Sequence, residues 1–165
     1  MRKTIFTLFL LFAVAAASYA QELPNLKAIK LRKNDSYKHA EPSVAKVVDY
    51  LFKTPIDQKN KSRNDAGKFL VDWMNGTPYY IFYLEEKETS FFNNNADLLL
   101  MYMAALTKFS LENPTVKEKQ QQALGAINLV LPYIYQQSDK KTWTKELWQL
   151  YDAFKNGNLK EYLYP

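Results

Sequence analysis

Three glutamates within four positions, Glu85, Glu86 and Glu88, are the side chains best placed for acid–base chemistry in this 165-residue sequence. Two carboxylates held at a suitable separation can hydrolyse a glycosidic bond, one as acid and the other as base or nucleophile. The same spacing also describes the first turn of a helix, where acidic side chains favour the positive end of the dipole. The second reading is the expectation here, because no other side chain supports the first. There is no cysteine and a single histidine, His39. Thiol nucleophiles, iron–sulfur clusters and thiolate zinc sites are therefore excluded. One histidine cannot supply an HExxH or multi-histidine metal site, and His39 stands in a basic stretch without a GxSxG nucleophile context. The four glycines form neither GxGxxG nor GxxxxGK[ST], and no D-x-D-x-D-G calcium loop occurs. No catalytic residue, metal or cofactor is expected.

What remains is aromatic. The stretch FLVDWMNGTPYYIFYL at 69–84 sets Trp73, Tyr79, Tyr80 and Tyr83 around Asn75-Gly76-Thr77-Pro78. Tyrosine and tryptophan offer flat apolar faces with a polar tip, suited to stacking on sugars or anchoring a protein partner. With Tyr133, Tyr135, Tyr162 and Tyr164 added, the tyrosines exceed what a small core can hold, so some must reach the surface. A cleft around Trp73 and Tyr79–Tyr83 would bind a small ligand or glycan. An exposed patch would bind a protein.

Residues 1–20 have the pattern of a cleaved secretory signal. Arg2 and Lys3 precede an apolar run from Ile5 to Ala17, and Ser18-Tyr19-Ala20 supplies small residues at −3 and −1. The run falls short of the roughly 20 residues that span a bilayer. Cleavage after Ala20 would release a soluble periplasmic or secreted chain with no transmembrane segment. The net charge of +5 would fall by the two charges of Arg2 and Lys3. Signs are interspersed along the rest, which disfavours nucleic acid as a partner.

The elements that must position these residues read as helices. Residues 21–40 are basic with weak apolar spacing and suggest a partly ordered arm. A single helical domain is expected over 41–165. Its first helix follows Pro42, with Val44, Val47, Val48, Leu51 and Phe52 on one stripe. A second at 57–75 buries Ala66, Phe69, Leu70 and Trp73. Asp65, Lys68 and Asp72 can pair on its outer face. Gly76 is expected to stop that helix in a left-handed turn, with Pro78 preventing resumption. Residues 79–84 read as an extended connector, with Tyr80, Phe82 and Leu84 on one side and Ile81 and Tyr83 on the other. A short helix at 85–92 precedes a central one at 95–111 that is apolar almost all round. Thr115 and Glu118 suggest a capping box for a helix at 116–136, which Pro132 should kink or shorten. A last helix at 142–155 is closed by Gly157.

The fold expected is all-α, a compact bundle of about five main helices with short loops. A short TPR-like helical-repeat stack is the alternative, though the helix pairs share little residue identity. The segments TPID, SRNDAGKFLVDWMNGTP and the alternating Y-x-F-x-L, with LLLMYMAALTKFSLEN further on, resemble a family of small exported helical proteins of Gram-negative bacteria. That resemblance implies an exported helical domain and no particular activity. The function expected is therefore a non-enzymatic module for a protein or envelope partner, with the small-ligand or glycan binder as alternative.

Overall fold

The computed structural model describes residues 23–165, so the leader at 1–20 lies outside the described residues. Among the described residues there are seven α-helices and no strand: α1 (Asn34–Lys53), α2 (Lys61–Gly76), α3 (Glu86–Thr89), α4 (Ala96–Glu112), α5 (Lys119–Gln137), α6 (Lys145–Lys155) and α7 (Leu159–Leu163). Five are long and two are single turns, which makes an all-α bundle. The apolar residues of α4 lie against α1, α2 and α5, and one continuous core runs from Ala40 in α1 to Leu163 in α7.

The first helix begins eight residues before Pro42, inside the segment read as an arm. Ser36 sets that start: its Oγ accepts from the Arg32 and Lys33 amides and donates to the Lys33 carbonyl. The stripe of valines extends backwards through Ala40 and Tyr37, which are too sparse to announce two helical turns in sequence. Pro42 removes the amide that would bond the Lys38 carbonyl. It sits on the exposed side of α1, so that loss falls in water. Upstream, Leu23, Leu26, Ile29 and Leu31 pack half-buried against the core. The arm is docked.

Other boundaries shift for local reasons. Asn60 caps α2 by accepting from the Arg63 amide, 3.1 Å away. Gly76 stays helical and does not take a positive φ. Glycine is needed there for space, since a Cβ would overlap the ring and hydroxyl of Tyr37. Gly157 does adopt a φ of 74° and closes α6. The cap of α5 is Glu118 rather than Thr115, because its two carboxylate oxygens accept from the Gln120 and Gln121 amides at 2.9 and 2.7 Å. That helix runs on through Pro132 to Gln137. Thr144 caps α6 after a 3-10 turn at Lys140–Thr142, so the last long helix starts three residues later than its spacing suggests.

One charged residue at the centre of the bundle has no counterpart in the sequence reading. Arg63 is 1% exposed, and no ion pair reaches it among the described residues. Its Nη1 donates to the Leu51 carbonyl (2.8 Å), the Thr54 carbonyl (3.2 Å) and Thr54 Oγ1 (3.0 Å), and its Nη2 to Met101 Sδ (3.0 Å). The carbonyls belong to the C-terminal turn of α1, where intrahelical donors run out and the dipole is negative. Tyr133 of α5 donates to the same Thr54 carbonyl at 2.7 Å.

Arg63→Met keeps the aliphatic stem and leaves those carbonyls without their charged donor. The unfolding free energy is expected to fall by about 1.5–3 kcal/mol, the range for hydrogen bonds to a charged group. Urea unfolding measures it. Parent-like stability would mean that the helix end does not depend on the guanidinium.

Candidate functional site

The connector after α2 is the most exposed apolar segment of the described chain. Its base is Trp73, fully buried, with Nε1 donating to the Tyr37 carbonyl at 3.0 Å. Tyr80 and Phe82 both lie on the Trp73 ring, at centroid distances of 5.6 and 6.0 Å, and stack on each other at 6.1 Å. Side chains at i and i+2 share a face only when the chain is extended. Ile81 between them accordingly points away and is 67% exposed, with Leu84 at 44% and Tyr79 at 39%. Pro78 and a run of aromatic and β-branched residues disfavour helix here. No hydrogen bond from any described residue reaches the N–H or C=O of residues 80–84.

The four aromatics expected to line a cleft are not brought together. Trp73 presents no face to a ligand; its helical spacing places it in the core. Tyr80 is half-buried against it. Tyr79 and Tyr83 touch neither ring, and Tyr83 faces a separate void of about 10 Å³ beside Glu85, Glu88 and Tyr164. The outer ring faces are also partly covered by ammonium groups. Lys38 Nζ lies 5.6 Å from the centre of the Tyr79 ring, and Lys117 Nζ 5.8 Å from that of Tyr80. Sequence reasoning named the rings and passed over Ile81 and Leu84, which carry the open apolar surface. The alternation of 79–84 accounts for Ile81, whereas Leu84 falls on the Tyr80 and Phe82 side of that pattern and is exposed because it lies at the end of the connector.

The glutamates separate in character. Glu85 makes an exposed ion pair with Lys119 at 2.8 Å, and Glu86 is exposed. Glu88 is 4% exposed, and the Tyr164 hydroxyl donates to its Oε1 at 2.5 Å. The expected solvated helix start is therefore half sealed by the C-terminal segment. The void beside Glu88 is on the scale of a single water, too small for a sugar ring. Among the described residues no three His, Asp or Glu side chains gather as metal ligands.

Two tyrosines, the buried Tyr102 and the half-buried Tyr164, flank Glu88. Burial pushes the Tyr102 and Tyr164 hydroxyls well above the usual tyrosine range, and the Glu88 carboxylate raises Tyr164 further. Burial also raises Tyr80 and Tyr133.

Another aromatic surface lies where α5 meets α6. Tyr135 stacks flat on Tyr151 at 4.5 Å, Trp148 is 36% exposed beside Trp143, and Lys140 Nζ sits 4.3 Å from the Tyr135 ring centre. These rings largely cover one another. Compared with known proteins, the chain matches no protein family, no curated sequence and no solved structure at a significant level.

The tyrosines set an alkaline limit on the fold. Unfolded tyrosines lose their protons near pH 10, while the raised folded ones keep theirs, so the native state binds more protons and stability falls as pH rises past about 10. Below that pH the contribution is complete. Tyr164→Phe should make the alkaline fall shallower and cost about 1–3 kcal/mol at neutral pH, because Glu88 stays buried without its donor. Urea midpoints across pH 7–11.5 test both effects, and an unchanged alkaline slope would remove Tyr164 from the cause.

Proposed function

We propose that the chain is an exported, non-enzymatic binding module whose connector face takes an envelope protein as partner. The carrying observation is the exposure of Tyr79, Ile81 and Leu84 on a segment with unpaired backbone, mounted on the rigid base of Trp73, Tyr80 and Phe82. Isolated exposed apolar side chains are ordinary on a protein surface, but one tyrosine and two aliphatics within six residues concentrate apolar surface on one connector. Free amides and carbonyls beside that patch can pair with an extended partner segment, while the alternate side chains give specificity. The pattern of residues 1–20, and the resemblance to small exported helical proteins, support an envelope location. No helix among the described residues is long and apolar enough to cross a membrane.

A protein partner is favoured over a glycan because stacking on sugars needs open ring faces. Here the open surface is aliphatic, and the nearby rings carry lysines. Enzymatic hydrolysis is not part of the reading, since Glu85 is ion-paired and Glu88 is sealed by Tyr164.

A photo-crosslinking side chain at position 81, introduced in the host, is expected to trap one discrete protein. The same group at exposed Lys46 on α1 should not. Leu84→Glu should weaken the complex at least roughly tenfold, the loss of a hot-spot contact, while leaving urea unfolding unchanged. A chain that crosslinks equally from both positions, or from neither, would remove the connector face as the site.

A further inference from the structure

A larger hollow lies on another part of the molecule, between residues 23–32 and α2. It measures about 840 Å³, within the roughly 300–1,000 Å³ typical of small-ligand sites. None of residues 79–84 lines it, so it is separate from the connector face. Its apolar lining comes from Leu26, Ile29, Tyr37 and Phe69. The arm is folded by its own 3-10 turn at Leu26–Ala28, in which the Ala28 and Ile29 amides donate to the Asn25 and Leu26 carbonyls. The Tyr37 hydroxyl reaches the Leu31 carbonyl at 3.5 Å. The arm thus bridges over α2 on apolar side chains and leaves space beneath.

The rim is charged unevenly. Lys27, Lys30, Arg32 and Lys68 face Asp65 and Asp72, four cations against two acids. The pairing expected among Asp65, Lys68 and Asp72 does not form, and none of the six makes an ion pair with a described residue. Elsewhere Lys38 pairs with Glu41 and Lys119 with Glu85, while other exposed lysines such as Lys46 make no ion pair with a described residue, so what marks the rim is its surplus of cations around an apolar hollow. A surplus of unpaired cations around an apolar hollow suits a ligand with an anionic head and a hydrocarbon body. The head gains charge-assisted bonds at the rim, and the chain gains by leaving water.

We infer that this hollow is a binding site for a single-chain anionic amphiphile, a fatty carboxylate being the simplest example. The body lies along Leu26, Ile29 and Phe69, and the carboxylate meets the lysines and Arg32 at the rim. Neutral and cationic amphiphiles of equal length bind less well, because only the anion answers the surplus charge.

The test uses protein purified after expression of the full chain, titrated below the micelle concentration with laurate, dodecanol or dodecyltrimethylammonium and followed by ¹H–¹⁵N spectra. Laurate is expected to shift the amides around Leu26, Ile29 and Phe69 saturably at one equivalent, with dodecanol at least roughly tenfold weaker, a difference of about 1.4 kcal/mol. A double Lys27→Glu, Lys30→Glu variant, altered only at exposed positions, should retain the parent spectrum elsewhere and lose that preference. Equal binding of dodecanol would overturn the proposal, as would shifts confined to residues outside the hollow. Contacts to Phe69 in unliganded protein from residues preceding Leu23 would show that the chain fills the space itself. Shifts that appear on concentrating the protein alone would assign it to a second copy. Either result also overturns the inference.

Discussion

Three helices are tied together at one carbonyl, and a fourth through the guanidinium that reaches it. Thr54, at the end of α1, receives the Arg63 guanidinium from α2 and the Tyr133 hydroxyl from α5, while the other end of the guanidinium touches Met101 of α4. A charge this deeply buried ordinarily demands an opposite charge. Here the demand is met by the C-terminal turn of α1, whose unpaired carbonyls carry roughly half an elementary charge. Because Arg63, Ala66, Leu70 and Trp73 share one stripe, anchoring Arg63 fixes the rotation of α2 about its axis. That rotation turns Trp73 inward, gives Tyr80 and Phe82 a platform, and leaves Ile81 facing out. The outer surface of the connector thus inherits its orientation from a bond nearly three helical turns before Trp73.

Much of this arrangement was legible, and the failures have definite causes. Periodicity revealed the long helices because each has an apolar stripe broad enough to survive substitution. It missed the first turns of α1, where the stripe is reduced to Tyr37 and Ala40 and a proline follows. Arg63 stands on the correct stripe, three residues before Ala66. Residue type argued against burial, and only a helix end brought alongside by the fold reverses that. Gly76 was read through its backbone freedom when its role is to admit Tyr37, a contact between residues 39 apart in sequence. In the connector, alternation separated Tyr80 and Phe82 from Ile81 correctly, but it set Leu84 with the inward pair and Leu84 is exposed. It could not say which side would face inward, since both sides are apolar.

Lysines recur over the outer rings of the molecule, above Tyr79, Tyr80, Tyr135 and Tyr164. Such contacts are weak at exposed positions, about 0.5–1 kcal/mol. Their larger effect is to break the surplus of tyrosine into small areas flanked by charge. A chain can then carry twelve tyrosines without presenting a broad adhesive surface. Two places escape this masking. One is the exposed aliphatic surface of Ile81 and Leu84 on the connector; the other is hollow and bordered by cations.

The bond between Tyr164 and Glu88 joins residues 76 positions apart. It therefore has a consequence in time as well as in space. A chain emerging amino end first presents α3 long before the residue that covers it. Until then Glu88 remains hydrated, and the flank of Tyr102 has no lid. Closing a long loop costs entropy before any contact repays it, so this seam costs more to close than the contacts between α4 and α5, which are neighbours in sequence. Without that contact, one side of the core beside Tyr102 lies within reach of water.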